Sequence, residues 1–111
     1  MKKILIVDDE PNIVMTLEYT FKKSNYEVFI ARDGQEALDI LKTNFPDVII
    51  LDIMMPMVDG FATLVQIRKD DNLQHTKVMF LSAKNKESDI EKGLALGADA
   101  YMTKPFSIKK V

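Results

Sequence analysis

Short apolar runs at regular intervals are the feature that most limits how this chain can fold. They cover residues 4–7, 28–31, 48–51 and 78–81, with a weaker run at 100–102. The first, third and fourth runs are apolar at every position, which is typical of strands buried on both faces of a parallel sheet. The sequence therefore predicts a sheet that is covered on both sides.

Segments with helical spacing lie between these runs. Pro11 suits the first turn of the first helix, and we expect Ser88 or Asp89 to cap the fourth. Strand and helix alternate five times, which predicts an α/β fold with right-handed crossovers. The apolar positions that recur on one face of each helix are Ile13, Leu17 and Phe21; Ala37, Leu38 and Leu41; Phe61, Leu64 and Ile67; and Ile90 and Leu94.

The composition fits an ordinary globular domain and excludes several function classes. Hydrophobic residues make up 47% of the 111 residues and charged residues 29%, so residues 1–111 are expected to form a single domain. A formal net charge of −2 provides no basic surface for nucleic acid or an anionic membrane. The absence of cysteine excludes disulfides and thiolate chemistry. No apolar stretch is long enough for a membrane span or an export signal, so a cytoplasmic location is expected.

Polar side chains follow four of the five predicted strands. In open α/β sheets, ligands bind beyond the carboxyl ends of the strands, so these residues are the candidates for chemistry. In chain order they are Asp8, Asp9 and Glu10; Asp52; Ser82; and Thr103 with Lys104.

The acids among them suggest a magnesium-dependent phosphoryl site. Adjacent strands lie about 4.8 Å apart, so Asp8, Asp9 and Asp52 would converge if the first and third strands are neighbours. Like charges this close repel, and Mg²⁺, which prefers oxygen ligands, would relieve the repulsion. Lys104 and Ser82 would offer an ammonium and a hydroxyl to a phosphoryl group. Asp52 is a candidate nucleophile, since a carboxylate can form an aspartyl phosphate.

Four sequence blocks resemble the signature blocks of response regulator receiver domains. This resemblance implies a flavodoxin-like, doubly wound, five-stranded parallel sheet in the strand order 2-1-3-4-5. It also implies that residues 1–111 are one receiver domain, a phosphorylation-controlled switch of two-component signalling that catalyses only its own phosphorylation and dephosphorylation. The blocks are IVDDE at 6–10, DIMMPMVDG at 52–60, LSA at 81–83 and GADAYMTKPF at 97–106.

The resemblance also implies which residues hold the metal and the phosphoryl group. Asp52 would be phosphorylated by a histidine kinase or a phosphotransfer protein. Mg²⁺ would be bound by Asp8, Asp9, the Asp52 carboxylate and the backbone carbonyl of Met54. Lys104 would pair with the phosphoryl group.

A switch and its partners follow from the same resemblance. Ser82 would hydrogen-bond the phosphoryl group, Tyr101 would turn inward when Ser82 moves, and Lys104–Pro105 would be a cis peptide. The face made by the fourth helix, fifth strand and fifth helix would then bind an output domain or target, or a second copy in a phosphorylated homodimer. Only residues 106–111 follow Pro105, so we expect the fifth helix to be truncated and an apolar patch to be uncovered.

Two other functions share parts of this pattern. A haloacid-dehalogenase-like phosphatase also uses an aspartate nucleophile after a strand, but it needs an acid two residues later, where this chain has Met54. A pseudo-receiver that only binds partners would lack one of the acidic or lysine positions, and none is missing here.

Overall fold

Strands and helices alternate along the chain, as the apolar runs predict. The structure is a computed structural model that describes residues 1–55, 59–83 and 86–104. Its strands are β1 (Lys3–Val7), β2 (Glu27–Ala31), β3 (Val48–Leu51), β4 (Lys77–Ser82) and β5 (Ala100–Thr103). Its α-helices are α1 (Pro11–Lys23), α2 (Gly34–Ile40), α3 (Gly60–Lys69) and α4 (Glu87–Ala95), and a short 3₁₀ helix covers Asp71–Leu73.

The five strands form one parallel sheet in the order β2-β1-β3-β4-β5. This confirms the predicted α/β class and the strand order that the family resemblance implies. β1 lies between β2 and β3, and Val7 of β1 is in register with Leu51 of β3. The residues that follow these two strands therefore leave the sheet side by side.

Successive residues of each strand face opposite sides of the sheet and enter two separate cores. Leu5 and Val7 belong to the larger core, which α2 and α3 cover together with α4, whose Gly93 lies over Phe80. Ile4 and Ile6 belong to the smaller core, where Leu17 of α1 packs. All four strand residues are fully buried, which explains why this run is apolar at every position.

The helix starts follow local chemistry, with one exception to the predictions. Pro11 is at the start of α1, and the Asp59 carboxylate caps α3 by accepting a hydrogen bond from the Ala62 N–H at 2.8 Å. The prediction that Ser88 or Asp89 caps α4 is wrong. Lys86 is the N-cap of α4, so both residues lie in its first turn. There the negative charge of Asp89 interacts favourably with the positive end of the helix dipole.

Two sequence expectations lie outside the described residues: the truncated fifth helix and the Lys104–Pro105 peptide. On the side of the sheet that α1 covers, Met79 and Met102 are half-buried and pack against the smaller core. Within the described ranges, no helix has the length and apolar character required to cross a membrane.

Candidate functional site

Two buried carboxylates mark the carboxyl edge of the sheet. Asp8 follows β1 and Asp52 follows β3, and the backbone N–H of Asp52 donates to the Val7 carbonyl at 2.9 Å. The ladder between the strands thus continues into the site and fixes the two acids next to each other. Asp8 is 2% exposed and Asp52 is 3% exposed, which is unusual for carboxylates unless they have partners.

Glu10 is a third acid in the same cluster. Its backbone N–H donates to Oδ1 of Asp8 at 2.9 Å, so the chain folds back immediately after β1. Carboxylate oxygens of Asp8, Glu10 and Asp52 all lie within 4.8 Å of one another. In the described part of the chain, this is the group of acids placed to share one metal ion.

Lys104 supplies the positive charge at this edge. Its Nζ lies 3.0 Å from Oδ2 of Asp8, 2.9 Å from Oε1 of Glu10 and 3.6 Å from Oδ2 of Asp52, and its side chain is 9% exposed. The backbone N–H of Lys104 donates to the Ser82 carbonyl at 2.8 Å, which extends the pairing of β5 with β4. The side chain is long enough to reach the acids from β5, two strands away from β3.

Burial and the neighbouring charges change the ionisation of the site. Burial and the neighbouring charge of Asp8 raise the pKa of Asp52 to about 6, although Lys104 opposes the rise. Burial also raises the pKa of Asp8, against the backbone hydrogen bond from Glu10 and the charge of Lys104. Burial lowers the pKa of Lys104, but its hydrogen bonds to Glu10 and Asp8 and the charges of Asp52 and Asp8 together outweigh burial, so the net pKa is raised. Asp8 and Asp52 thus hold protons more readily than usual, and Lys104 stays charged.

Ser82 and Tyr101 lie on the neighbouring strands, on the side facing α4. Ser82 is fully buried at the end of β4. Burial and the nearby charge of Asp89 raise the pKa of the Tyr101 phenol, and a hydrogen bond with the Ser82 side chain opposes that rise. The serine and tyrosine that the resemblance joins in a switch are therefore already in contact.

A close backbone approach shapes the loop after β3. The N–H of Gly60 donates to the Ile53 carbonyl at 2.9 Å. A Cβ atom at Gly60 would lie 2.3 Å from the Asp52 carbonyl oxygen and 2.7 Å from the Ile53 Cα. Only glycine fits there, because both contacts are with backbone that cannot rotate away.

The predicted site residues thus fall into two sets. Asp8, Asp52 and Lys104 come together, and Asp9 is exposed and lies outside the cluster of three acids, so its metal role stays a prediction. The Met54 side chain is 57% exposed, and its N–H donates to Oδ1 of Asp52 at 3.4 Å. The metal role of the Met54 carbonyl also stays a prediction.

Glu10 was not among the predicted metal ligands, although it belongs to the Asp8-Asp9-Glu10 run. An aspartate side chain readily accepts a hydrogen bond from the backbone two residues on and so forms a tight turn. The Asp8-X-Glu10 spacing was the available signal.

The chain is similar to proteins of one family over nearly its whole length. A family model described as "Response regulator receiver domain" matches residues 4–111. The alkaline phosphatase synthesis transcriptional regulatory protein PhoP of Bacillus subtilis is 47% identical over 110 residues, which cover 99% of this chain and 45% of that protein. The chain thus spans less than half the length of this curated relative.

Two solved structures show the same architecture. The receiver domain of the Francisella response regulator 1452 superposes with a TM-score of 0.90 at 38% identity, over 99% of this chain and 89% of that one. Chemotaxis protein CheY4 of Vibrio cholerae superposes with a TM-score of 0.90 at 34% identity, over 96% of this chain and 89% of that one.

Proposed function

This chain belongs to the response regulator receiver family of two-component signalling, and we propose that Asp52 is its phosphoryl acceptor. Receiver domains are signalling phospho-acceptors and not enzymes in the usual sense. The observation that carries the proposal is the position of Asp52. Asp52 is 3% exposed, and its carboxylate shares a cluster with Asp8 and Glu10 and lies 3.6 Å from the Lys104 ammonium.

In the proposed reaction, an oxygen of the ionised Asp52 carboxylate attacks the phosphorus of a phosphohistidine on a histidine kinase or phosphotransfer protein. The new P–O bond forms as the P–N bond breaks, and the imidazole leaves with the bonding electron pair and takes up a proton. A pKa of about 6 leaves most Asp52 carboxylates ionised at pH 7. The chain promotes this step, and later hydrolysis of its own phosphate, by positioning and charge.

Mg²⁺ is the cofactor that the donor set fits. Receiver domains bind Mg²⁺ at a cluster of acidic residues, and the oxygens of Asp8, Glu10 and Asp52 are hard donors of the type this ion prefers. We propose Asp9 and the Met54 carbonyl as further ligands, directly or through water. When bound, the ion would supply charge neutralisation between the carboxylates and the phosphoryl group.

The proposed switch begins at Ser82 and ends at the surface of the domain. The Ser82 hydroxyl binds the phosphoryl group, and Tyr101 follows it inward. The surface formed by α4, β5 and the fifth helix then changes its affinity for partners. Phosphorylation shifts this equilibrium only to the extent that it interacts differently with the two states.

The partners also belong to the proposal. They are a histidine kinase or phosphotransfer protein, an output domain or target protein, and a second phosphorylated copy in a homodimer, and the domain itself is proposed to act in the cytoplasm. We propose that residues 1–111 form one receiver domain that binds neither nucleic acid nor a membrane directly.

Intact-mass measurement after incubation with Mg²⁺ and acetyl phosphate or phosphoramidate tests the acceptor. We expect one phosphoryl increment that disappears with a chelator. Asp52→Asn is the matched control, because it keeps the shape of the side chain and removes its nucleophile. An increment that survives in Asp52→Asn would place the phosphoryl group on another residue.

A folded wild-type protein that gains no increment would contradict the proposal and favour a pseudo-receiver. Steady multiple-turnover hydrolysis of added phosphate esters would favour a phosphatase. Circular dichroism of both proteins, recorded before incubation, establishes that each is folded.

A further inference from the structure

Gly93 of α4 stands directly over two aromatic rings of the sheet. A Cβ atom at this position would lie 2.9 Å from Cδ2 and 3.0 Å from Cε2 of Phe80, and 3.1 Å from Cδ2 of Tyr101. Such distances are shorter than ordinary carbon–carbon contacts, which are near 3.5–4.0 Å. A side chain at position 93 therefore requires a ring or the helix to move.

The fully buried Phe80 ring is the least able to move. It packs against Phe61 of α3 with centroids 5.5 Å apart on one side and against Tyr101 with centroids 5.7 Å apart on the other. Tyr101 is half-buried at the edge strand β5 and has solvent on one side. Crowding from α4 is therefore relieved most easily by displacement of Tyr101.

The helix itself is held against the same row of rings. The Nζ of Lys92, the residue before Gly93, lies 4.5 Å from the centroid of the Phe61 ring. This distance is within the range of a cation–π contact. Because α4 is fixed here through Lys92, it cannot lift away from the sheet without losing this contact.

We propose that Gly93 is a positioning residue for the switch: the absence of a side chain there lets Tyr101 pack beneath α4, against Phe80 and within reach of Ser82. The inference rests on the proposed function, in which Tyr101 follows Ser82 during activation. Any side chain at position 93 disfavours the inward ring and so biases the domain toward its inactive state. The glycine thus determines how readily Asp52 phosphorylation is coupled to the α4 surface.

The test follows the Tyr101 ring by fluorine NMR in protein labelled with 3-fluorotyrosine. The chain has three tyrosines, and Tyr101→Phe assigns the resonance of interest. In Gly93→Ala we expect the Tyr101 resonance to shift and to become more sensitive to a soluble paramagnetic relaxation agent. Leu94→Ala is the matched control, because Leu94 is the next residue of α4 and is 45% exposed, so the Tyr101 resonance should not change.

The second readout is the initial rate of phosphorylation by acetyl phosphate. We expect Gly93→Ala to be slower by roughly fivefold, because crowding by one methyl group biases a two-state equilibrium by that order. An unchanged Tyr101 resonance in folded Gly93→Ala would overturn the inference. A displaced ring with an unchanged rate would also overturn it, because the coupling to phosphorylation would be absent.

Failure of the proposed function can be distinguished from failure of the inference about Gly93. If wild-type protein takes up no phosphoryl group, the acceptor role fails, whereas the fluorine spectrum still decides whether Gly93 positions Tyr101. If Gly93→Ala does not fold, the same substitution is made in Tyr101→Ala. Folding of this double variant would support a clash between the residue 93 side chain and the tyrosine ring. Failure of the double variant to fold would overturn the inference.

Discussion

The Nζ atom of Lys104 lies 2.9 Å from Oε1 of Glu10, although 94 residues separate them in the sequence. The same ammonium lies 3.0 Å from Oδ2 of Asp8, so two carboxylates share one lysine beside Asp52. Lys104 thus neutralises part of the negative charge that would attract a divalent cation. Binding of Mg²⁺ to this cluster has to compete with a cation that belongs to the protein.

The first prediction concerns this competition. Lys104→Met keeps the length of the side chain and removes its charge. Mg²⁺ should then bind at least tenfold more tightly, because even at the dielectric constant of water, about 80, the repulsion of a divalent ion by a unit charge about 4 Å away is about 2 kcal/mol. Isothermal titration calorimetry at pH 8 measures the affinity. Lys77→Met removes the same charge at a side chain that is 72% exposed and ion-paired with Asp99, and it should leave the affinity unchanged. Equal or weaker binding in Lys104→Met would contradict the competition.

The second prediction concerns pH. The pKa of Asp52 is raised from 3.8 in the reference state to about 6 in the folded protein, so the folded state binds its proton more tightly. The stabilisation is complete below about pH 4 and is lost as pH rises through 6. Without Mg²⁺, Asp52→Asn lacks this loss and should gain up to about 3 kcal/mol over wild type between pH 4 and pH 8.

Urea denaturation of both proteins across this pH range, with and without Mg²⁺, tests the prediction. The raised pKa of Asp8 acts in the same direction, so Asp52→Asn should retain a smaller slope. Saturating Mg²⁺ should remove most of the advantage of the variant, because the ion favours the ionised carboxylate. A difference in the free energy of unfolding between the two proteins that does not vary with pH would contradict the prediction.

The third prediction concerns the backbone behind Asp52. Gly60→Ala should lower the free energy of unfolding by about 1–3 kcal/mol, the usual cost of overpacking, because the new Cβ would meet the Asp52 carbonyl oxygen at 2.3 Å. It should also reduce phosphorylation, since relief of the clash displaces Asp52. Ala62→Gly, in the same turn of α3, should lose about 1 kcal/mol through helix propensity and keep its phosphorylation rate. Equal rates in the two variants would contradict a displaced Asp52.

The strands and the central acids were predictable because their signals are local. Fully apolar runs indicate buried parallel strands, and Asp8 and Asp52 follow two of those runs directly. Their adjacency required the strand order, which came from the family resemblance and which the structure confirms. A periodic pattern cannot supply that order, since it does not show which strands pair.

The features that escaped prediction depend on three-dimensional reach. Glu10 joins the cluster because its backbone N–H returns to Asp8 in a tight turn. The position of Gly93 against Phe80 and Tyr101 could not be predicted from the sequence, because these rings lie on two other elements, β4 and β5. The start of α4 at Glu87 was missed because Lys86, an unusual cap, precedes it.

A further such feature is the clamp around Arg68 at the end of α3. Its Nε donates to the Gly97 carbonyl at 3.0 Å, its Nη1 to the Thr76 carbonyl at 2.9 Å, and its Nη2 to Oδ2 of Asp99 at 3.0 Å. Asp99 also accepts a hydrogen bond from the Val78 N–H at 2.9 Å. One guanidinium thus connects α3 to the segments that precede β4 and β5.

The final prediction is that Arg68→Lys lowers the free energy of unfolding by about 2 kcal/mol or more. The planar guanidinium donates to several separated acceptors at once, whereas an ammonium cannot reach all of them and leaves carbonyls unpaired. The Arg68 side chain is 20% exposed, so water replaces these bonds only in part. Lys77→Ala removes the longer contact to Asp99, at 3.9 Å from a side chain that is 72% exposed, and should change stability by no more than about 0.5 kcal/mol. Urea denaturation measures both variants, and phosphorylation of folded Arg68→Lys should stay at the wild-type rate because the clamp lies at the opposite end of the strands from Asp52. Comparable losses of stability in the two variants would show that exposed charge, rather than the fork geometry of Arg68, holds this edge together.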